Sequence, residues 1–549
     1  MNPRILIVGG VAGGASCAAR LRRLNEHAEI HIFERGPYVS FANCGLPYFV
    51  GGVIPNEDDL LIANAGLFRD RFNISVHERT EVVSIDRANS LIEVRSLESG
   101  ETRREPYDFL VLSPGALPIR PPLPGIDLPG IHTLRNIPDS RAIRSWIDDR
   151  NARSAVVVGG GFIGLEMAEN FLHRGMDVTV VEMLDQVMPP LDPEIAALVA
   201  THLRKQGATL ALGDGVAGFQ HNAHGQLEVH TSGGKIHTAD LVILSIGVRP
   251  DTALAKAAGL KIGARGGIVT DDHMRTSDPK ILAVGDAVEV RDWTFGEPTL
   301  LALGGPANRQ GRIAADVICG RDSRFRGVQG TAICGVCGLQ VASTGASEKA
   351  LLRAGHKDFE KITIHPNHHS GYYPGAKQMT LKLIFRPSDG LILGAQGVGE
   401  AGVDRRIDVV ATLIQKHGTV FDLEEAELCY APQFGAAKDA ANFAGMVAAD
   451  WMRGDMPTVH WGEPVTEKTL LLDVRSRREF DAGHAKGAVH IPVEEIRSRL
   501  SEIPADRDIR AYCAVGIRGY LATRILIQHG VAARNLSGGF LSHPGDASI

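Results

Sequence analysis

Three apolar runs lack the polar alternation of a half-exposed strand: Arg4–Val8, Ser154–Val158 and Lys280–Val284. Each ends in a glycine-containing cluster. Runs of this kind predict strands of a parallel sheet buried on both faces. Helical patterns follow the first two, so each opens a strand–helix–strand unit. A proline-rich stretch, Pro118–Gly130, predicts a crossover between domains. The composition changes again at Gly454–Pro464, and a fresh apolar run follows at Thr469–Val474. Met452–Glu467 therefore reads as a linker or docking segment ahead of a small final domain.

Length supports this division, since 549 residues exceed one core. With 44% hydrophobic and 22% charged residues, the composition is that of a globular protein. A formal net charge of −6 and 5% aromatic residues give no reason to propose nucleic acid or an anionic membrane as a partner. No apolar run approaches the roughly 20 residues that span a bilayer, and a cytoplasmic location is expected. Seven cysteines form no disulfide framework and must be judged singly. No metal site is expected.

The first glycine cluster reads Gly9-Gly10-Val11-Ala12-Gly13-Gly14. Its strand–turn–helix context is that of a dinucleotide fingerprint, in which small residues admit a pyrophosphate to a helix N-terminus. Val11 departs from the usual middle glycine. Glu34 ends the next strand, where a carboxylate can hold an adenosine ribose. The second cluster is complete: Gly159-Gly160-Gly161-Phe162-Ile163-Gly164, with Glu182 closing the following strand. Gly159, Gly161 and Gly164 would contact the nucleotide, and Glu182 favours NADH over NADPH, with NADPH still possible. Two such sites imply hydride passed from a nicotinamide to a resident dinucleotide such as FAD. Gly285-Asp286 is similar to a flavoprotein segment whose aspartate bonds the ribitol, and Gly115 joins the expected cofactor-binding set.

Cys44 lies in the segment Tyr38–Gly51, close in sequence to Glu34. Spacing alone leaves two readings, a buried structural cysteine or a thiolate nucleophile near the flavin. The N-terminal ~450 residues resemble the pyridine nucleotide–disulfide oxidoreductases, nearest to coenzyme A disulfide and persulfide reductases. The resemblance rests on GGVAGGAS at 9–16, SFANCGLPY at 40–48, GGGFIGLE at 159–166 and VGDA at 284–287. It implies that Cys44 attacks the substrate and forms a mixed disulfide with CoA. Ser40 and Asn43 would flank the thiol and the flavin, and Arg20 and Arg23 would receive CoA phosphates, unless they are only a solvated helix face. NADH oxidases and peroxidases also use one cysteine but carry a histidine in the position of Ala12.

GYYPGA at 371–376 and CYAPQFGAAKD at 429–439 match segments of the family's dimerisation domain. The resemblance implies a homodimer in which tyrosine hydroxyls reach the partner subunit's cysteine. Tyr430 is the better match, and Tyr372 and Tyr373 remain alternatives for the second hydroxyl. Cys334-Gly335-Val336-Cys337 reads as core, as do Cys17, Cys319 and Cys429. Residues 470–492 and 512–520 resemble a rhodanese domain, with a loop from Cys513 to Arg518 between a strand and a helix. Backbone N–H groups and Arg518 would there stabilise an anionic persulfide. Asp473, Arg475, Glu479 and His484 read as scaffolding.

The expected fold is thus α/β. It has two Rossmann-like domains, FAD-binding over 1–115 and 246–325 and NAD(P)H-binding over 116–245. An α+β dimerisation domain over 326–450, a linker over 451–464 and an α/β rhodanese domain over 465–549 follow. The expected activity is FAD-dependent, NAD(P)H-oxidising reduction of CoA persulfide, polysulfide or CoA disulfide. CoA is the bound substrate or cofactor, sulfide is released, and the rhodanese domain relays sulfane sulfur. Alternatives are an NADH oxidase or peroxidase using a Cys44 sulfenic acid, and a redox sensor or persulfide carrier with little turnover.

Overall fold

The structure is a computed structural model that describes residues 2–544. Met1 and residues 545–549, the extreme ends of the first and last expected domains, lie outside the described residues. The chain divides into two compact units, residues 1–189 with 202–328, and residues 190–201 with 329–549.

The first unit holds two five-stranded parallel sheets. One orders its strands Ile281–Ala283, Phe109–Leu112, Arg4–Val8, Glu29–Phe33 and Ser75–His77. The other runs Thr209–Leu212, Asp177–Glu182, Ser154–Val158, Leu241–Leu244 and Ile131–His132. All three glycine-terminated runs are strands near the middle or at one end of these sheets. Ile5, Leu6 and Ile7 are each at most 1% exposed, so successive side chains are buried on both faces. The helix Ala12–Leu24 packs along the helix Gly304–Ile318. No helix among the described residues is long and apolar enough to cross a membrane.

The second unit combines a five-stranded antiparallel sheet with a five-stranded parallel sheet. The antiparallel order is Ala332–Val336, Leu339–Gly345, Ile392–Gly399, Met379–Phe385 and Glu360–Ile364. Its first hairpin explains the C-x-x-C spacing. Cys334 is a buried strand residue, whereas Cys337 and Gly338 form the two-residue turn with φ of 50° and 83°. Lys382 on the Met379–Phe385 strand is wholly buried. Its Nζ lies 2.8 Å from Asp192 and 3.0 Å from Glu348, with Glu194 as a third partner. Among the described residues, these three carboxylates are the one group with metal-like spacing, and the ammonium occupies their centre. Asp192 and Glu194 belong to residues 190–201, which group with this unit, although the sequence placed them in the second nucleotide domain.

The parallel sheet orders Thr458–Val459, Ala533–Leu536, Asp508–Tyr512, Thr469–Asp473 and Val489–His490. The segment expected to link two domains, 451–464, is therefore not free chain. Thr458 and Val459 pair with Asn535 and Leu536, and Trp461 packs edge-on against Tyr512 at 5.4 Å. Its own apolar residues extend the sheet, which composition alone did not reveal. Cys429, expected in the core, is exposed, in the irregular chain beyond the Val420–Glu425 helix.

Candidate active site

Both glycine turns are built by the same steric rule. Gly9 has φ 91°, and a Cβ there would lie 2.2 Å from the Ser113 carbonyl oxygen. A Cβ on Gly14 would meet the Gly9 oxygen at 1.9 Å. Val11 stands in the turn at φ −89° and ψ −124°, so its backbone takes no left-handed conformation. In the second turn Gly159 has φ 106°, with its Cβ direction closed by Ser245, and Gly164 again faces the oxygen of Gly159. The direction a Gly161 side chain would take is open.

Each turn is closed by the acid predicted for it. Glu34 accepts the Gly10 N–H at 2.9 Å and the Gly36 N–H at 2.8 Å. Glu182 accepts the Gly160 N–H at 2.7 Å and the Leu184 N–H at 2.9 Å. The two carboxylates are fixed at the strand ends where nucleotide riboses would lie. Gly285 donates its N–H to Gln310 at 2.6 Å and turns the chain into Asp286. Burial pushes the Asp286 carboxyl up, and Arg135 opposes that shift. Gly115, with φ 73°, abuts the same Arg135. A half-buried acceptor beside a cradle whose glycine positions are closed to side chains fits a dinucleotide carrying a polyhydroxyl chain, as FAD does.

Cys44 sits in the single helical turn Asn43–Gly45, just before the short helix Leu46–Gly51. Ser40 anchors this loop. Its N–H bonds the Gly10 oxygen at 2.9 Å, and its own oxygen accepts from Ile62 and Ala63. Ser40 holds φ 52°, a left-handed conformation that a serine rarely adopts and that persists because these bonds over-determine it. Asn43 donates to the Arg135 oxygen at 3.2 Å. The thiol of Cys44 is exposed. Its pKa is raised by partial burial, then by the carboxylates of Glu166 and Asp286. Glu166 is itself pushed up to about 7, by burial and by Glu169. The sequence reading missed Glu166, though it closes the quoted GGGFIGLE segment.

Arg20 and Arg23 take different positions. Arg20 pairs with Asp316 at 2.8 Å, while Arg23 is exposed. Ser16 bonds Asn308, and Asn308 and Arg312 are exposed on the Gly304–Ile318 helix. That neighbouring polar face was not read from the sequence, because nearly 300 residues separate its two halves.

The structure pairs Tyr372, and not Tyr373, with Tyr430. Their hydroxyl oxygens are 3.1 Å apart. The shared bond lowers the pKa of Tyr372 and raises that of Tyr430, and either hydroxyl can be its donor. Tyr373 instead sets its ring edge-on to His369 at 5.6 Å.

Cys513 follows the Asp508–Tyr512 strand and is 1% exposed. The Gly516 N–H donates to its sulfur at 3.1 Å, and Gly516 with φ 107° leads into the Ile517–Gln528 helix. The sulfur also neighbours the guanidinium of Arg518. Arg518 makes a two-point bond to Glu479, at 2.8 and 2.6 Å. Glu479 is held at about 2 by this arginine and by its capping bonds with Ser476. The same two-point bond holds the arginine beside the sulfur. Asp473 and Arg475 form a buried pair at 2.6 Å, and His484 stacks on Phe480 at 3.8 Å.

Residues 3–310 match the pyridine nucleotide-disulphide oxidoreductase family, residues 331–441 its dimerisation domain, and residues 461–542 the rhodanese-like domain. A solved structure described as reduced Bacillus anthracis CoADR-RHD is similar at 45% identity and TM-score 0.97, covering 99% of this chain and 98% of the other. An NAD-dependent persulfide reductase from A. fulgidus is similar at 36% identity and TM-score 0.92, covering 98% and 99%. A curated relative from Methanocaldococcus jannaschii named NADH oxidase is 35% identical over 80% of this chain and 97% of its own length. Further relatives carry the names coenzyme A disulfide reductase and CoA-dependent NAD(P)H sulfur oxidoreductase.

Proposed function

The chain belongs to the pyridine nucleotide-disulphide oxidoreductase family, and from that premise we propose that it reduces CoA-linked sulfur–sulfur bonds with NAD(P)H, using Cys44 as nucleophile. The observation that carries this reading is one exposed thiol, Cys44, on a loop pinned through Ser40 to the first nucleotide turn. The fused Cys513 loop and the persulfide-reductase likeness favour CoA persulfide as substrate, with CoA disulfide also accepted.

The Cys44 thiolate attacks the CoA-bound sulfur of the persulfide. A Cys44–CoA disulfide forms, the sulfane sulfur–sulfur bond breaks, and its electron pair leaves with hydrosulfide. Held at the Gly9–Gly14 turn with Glu34 and Asp286, FAD would supply the two-electron relay from NAD(P)H that the mixed disulfide needs to yield a Cys44 thiolate and free CoA thiol. The Tyr372–Tyr430 pair provides a proton to the leaving sulfur at the partner subunit's Cys44 in a homodimer. Ser40 and Asn43 fix the thiol, while Arg23 and the Asn308–Arg312 face receive CoA phosphates. Glu182 selects against a 2′-phosphate, so NADH is preferred. Cys513 takes sulfane sulfur as a persulfide stabilised by the Gly516 N–H and Arg518, and passes it to CoA.

An NADH oxidase cycling Cys44 through a sulfenic acid is the second reading, favoured by the M. jannaschii relative and opposed by Ala12. Anaerobic NADH oxidation with CoA persulfide, CoA disulfide, polysulfide, peroxide or no acceptor separates the two, in wild type and Cys44→Ser. The expected result is fast, Cys44-dependent turnover with the CoA-linked substrates and sulfide release from the persulfide. Fast turnover with peroxide instead would overturn it.

A further inference from the structure

The Cys513 loop closes on a segment of its own domain that is itself held from outside. It is braced by the segment Ser537–Ser542. The Phe540 N–H donates to the Cys513 oxygen at 2.7 Å, and the Leu541 N–H to the Ala514 oxygen at 3.0 Å. Gly538 and Gly539 hold φ of 70° and 60°, and a Cβ on Gly539 would lie 2.4 Å from the Cys513 oxygen. The brace therefore fits the loop with no space to spare.

The other face of the same segment is held from the antiparallel sheet. Glu360–Ile364 is the edge strand of that sheet. Its Thr363 N–H donates to Ser537 Oγ at 3.0 Å. His365, one residue beyond the strand, places Nδ1 3.0 Å from Thr380 Oγ1 and Nε2 2.9 Å from Ser542 Oγ. The Gly538 backbone is a further partner of that imidazole. His365 is 8% exposed, and burial lowers its pKa to about 4, so at neutral pH it is an uncharged ring with both nitrogens engaged.

We propose that His365 is a positioning residue for sulfur transfer at Cys513: from the dimerisation sheet, through Ser542 and Gly538, it fixes the loop that carries the thiol. The proposal rests on the reading of Cys513 as the sulfur-transfer residue. It adds a residue more than a hundred positions away in the sequence, in a different domain. An isolated rhodanese domain of this chain lacks that brace.

The test uses the full-length, FAD-loaded protein. In His365→Asn the amide nitrogen stands near the place of Nδ1, so the Thr380 bond is kept and the Ser542 bond is lost. In His365→Gln the amide nitrogen stands near Nε2, so the Ser542 bond is kept. Two quantities are read: carbamidomethylation of Cys513, followed by peptide mass, and Cys513-dependent sulfur transfer from thiosulfate to cyanide. NADH-driven CoA disulfide reduction reports an intact fold. In His365→Asn, alkylation should rise and transfer kcat fall, each by about tenfold, the factor that one lost buried hydrogen bond corresponds to. His365→Gln should recover both to within about twofold, a rescue that follows from the restored hydrogen bond. CoA disulfide reduction should be unchanged throughout. Equal impairment of both variants, or none in either, overturns the proposal. If wild type and Cys513→Ser transfer sulfur equally, the reading of Cys513 fails, and the alkylation rates still decide whether His365 braces the loop.

Discussion

The two cysteines proposed to react sit in opposite electrostatic settings. Cys44 is exposed, and the nearest charges acting on it are the carboxylates of Glu166 and Asp286, which disfavour a thiolate. Cys513 is buried, yet it receives a backbone N–H from Gly516 and lies beside the Arg518 guanidinium. The difference shows which site is complete within the chain itself. The Cys513 loop carries its own donors for an anionic sulfur. The Cys44 site surrounds its nucleophile with acids and leaves activation to the groups that bind there.

The largest effect expected from this contrast is a division of labour. Cys44→Ser should lower NADH-driven turnover with every sulfur acceptor by about 10⁴-fold, as loss of a nucleophile does. Cys513→Ser should leave CoA disulfide reduction within about twofold and affect only sulfane-sulfur donors, since CoA disulfide brings no sulfane sulfur for Cys513 to carry. Steady-state kinetics of both variants check this, and equal losses with CoA disulfide would erase the contrast. Next in size is the tyrosine pair. Tyr430→Phe and Tyr372→Phe should each cost about tenfold in kcat, in the range of general-acid catalysis, and the double variant little more, because hydrogen-bonded partners act as a unit. Tyr373→Phe should be near neutral. The pH dependence sharpens the contrast further. With flavin removed, the midpoint for Cys44 alkylation should lie above the ordinary thiol value of 9.0, because burial and two carboxylates raise it. A midpoint below that value would break the comparison. Smallest is Glu479→Gln, which frees Arg518 and should slow Cys513-dependent transfer about fivefold, as loss of a charge-assisted bond does. The sign with pH follows from the depressed Glu479 pKa. Its pairing is intact above the ordinary carboxylate range and is lost as pH falls through about 2. Circular dichroism of wild type and Glu479→Gln between pH 5 and 2 reads that difference.

Much of this was legible along the chain because parallel α/β domains write their sites locally. A buried strand, a glycine turn and an acid at the next strand end fall within about 25 residues of one another, so Glu34 and Glu182 could be named in advance. The Phe109–Leu112 strand was not, being a short run with no glycine fingerprint beside it. Cys513 and Arg518 were legible for the same reason as the acids, since a strand, a loop and a helix hold both. Tyr372 and Tyr373 were not separable, because adjacent residues carry the same side chain and only the approach of Tyr430, 58 positions away, distinguishes them. The Arg518 partner of Glu479 was not legible because it lies 39 residues on.

The sequence by itself determined the α/β class, both nucleotide turns and the two cysteines, since backbone sterics and local hydrogen bonding act over a few residues. Tertiary structure alone decided the Tyr372–Tyr430 pair, the burial of Lys382 among three carboxylates, the Thr458–Val459 strand and the His365 brace on the Cys513 loop. Each of these joins groups far apart in the chain, and their contacts exist only once folding has brought the elements together.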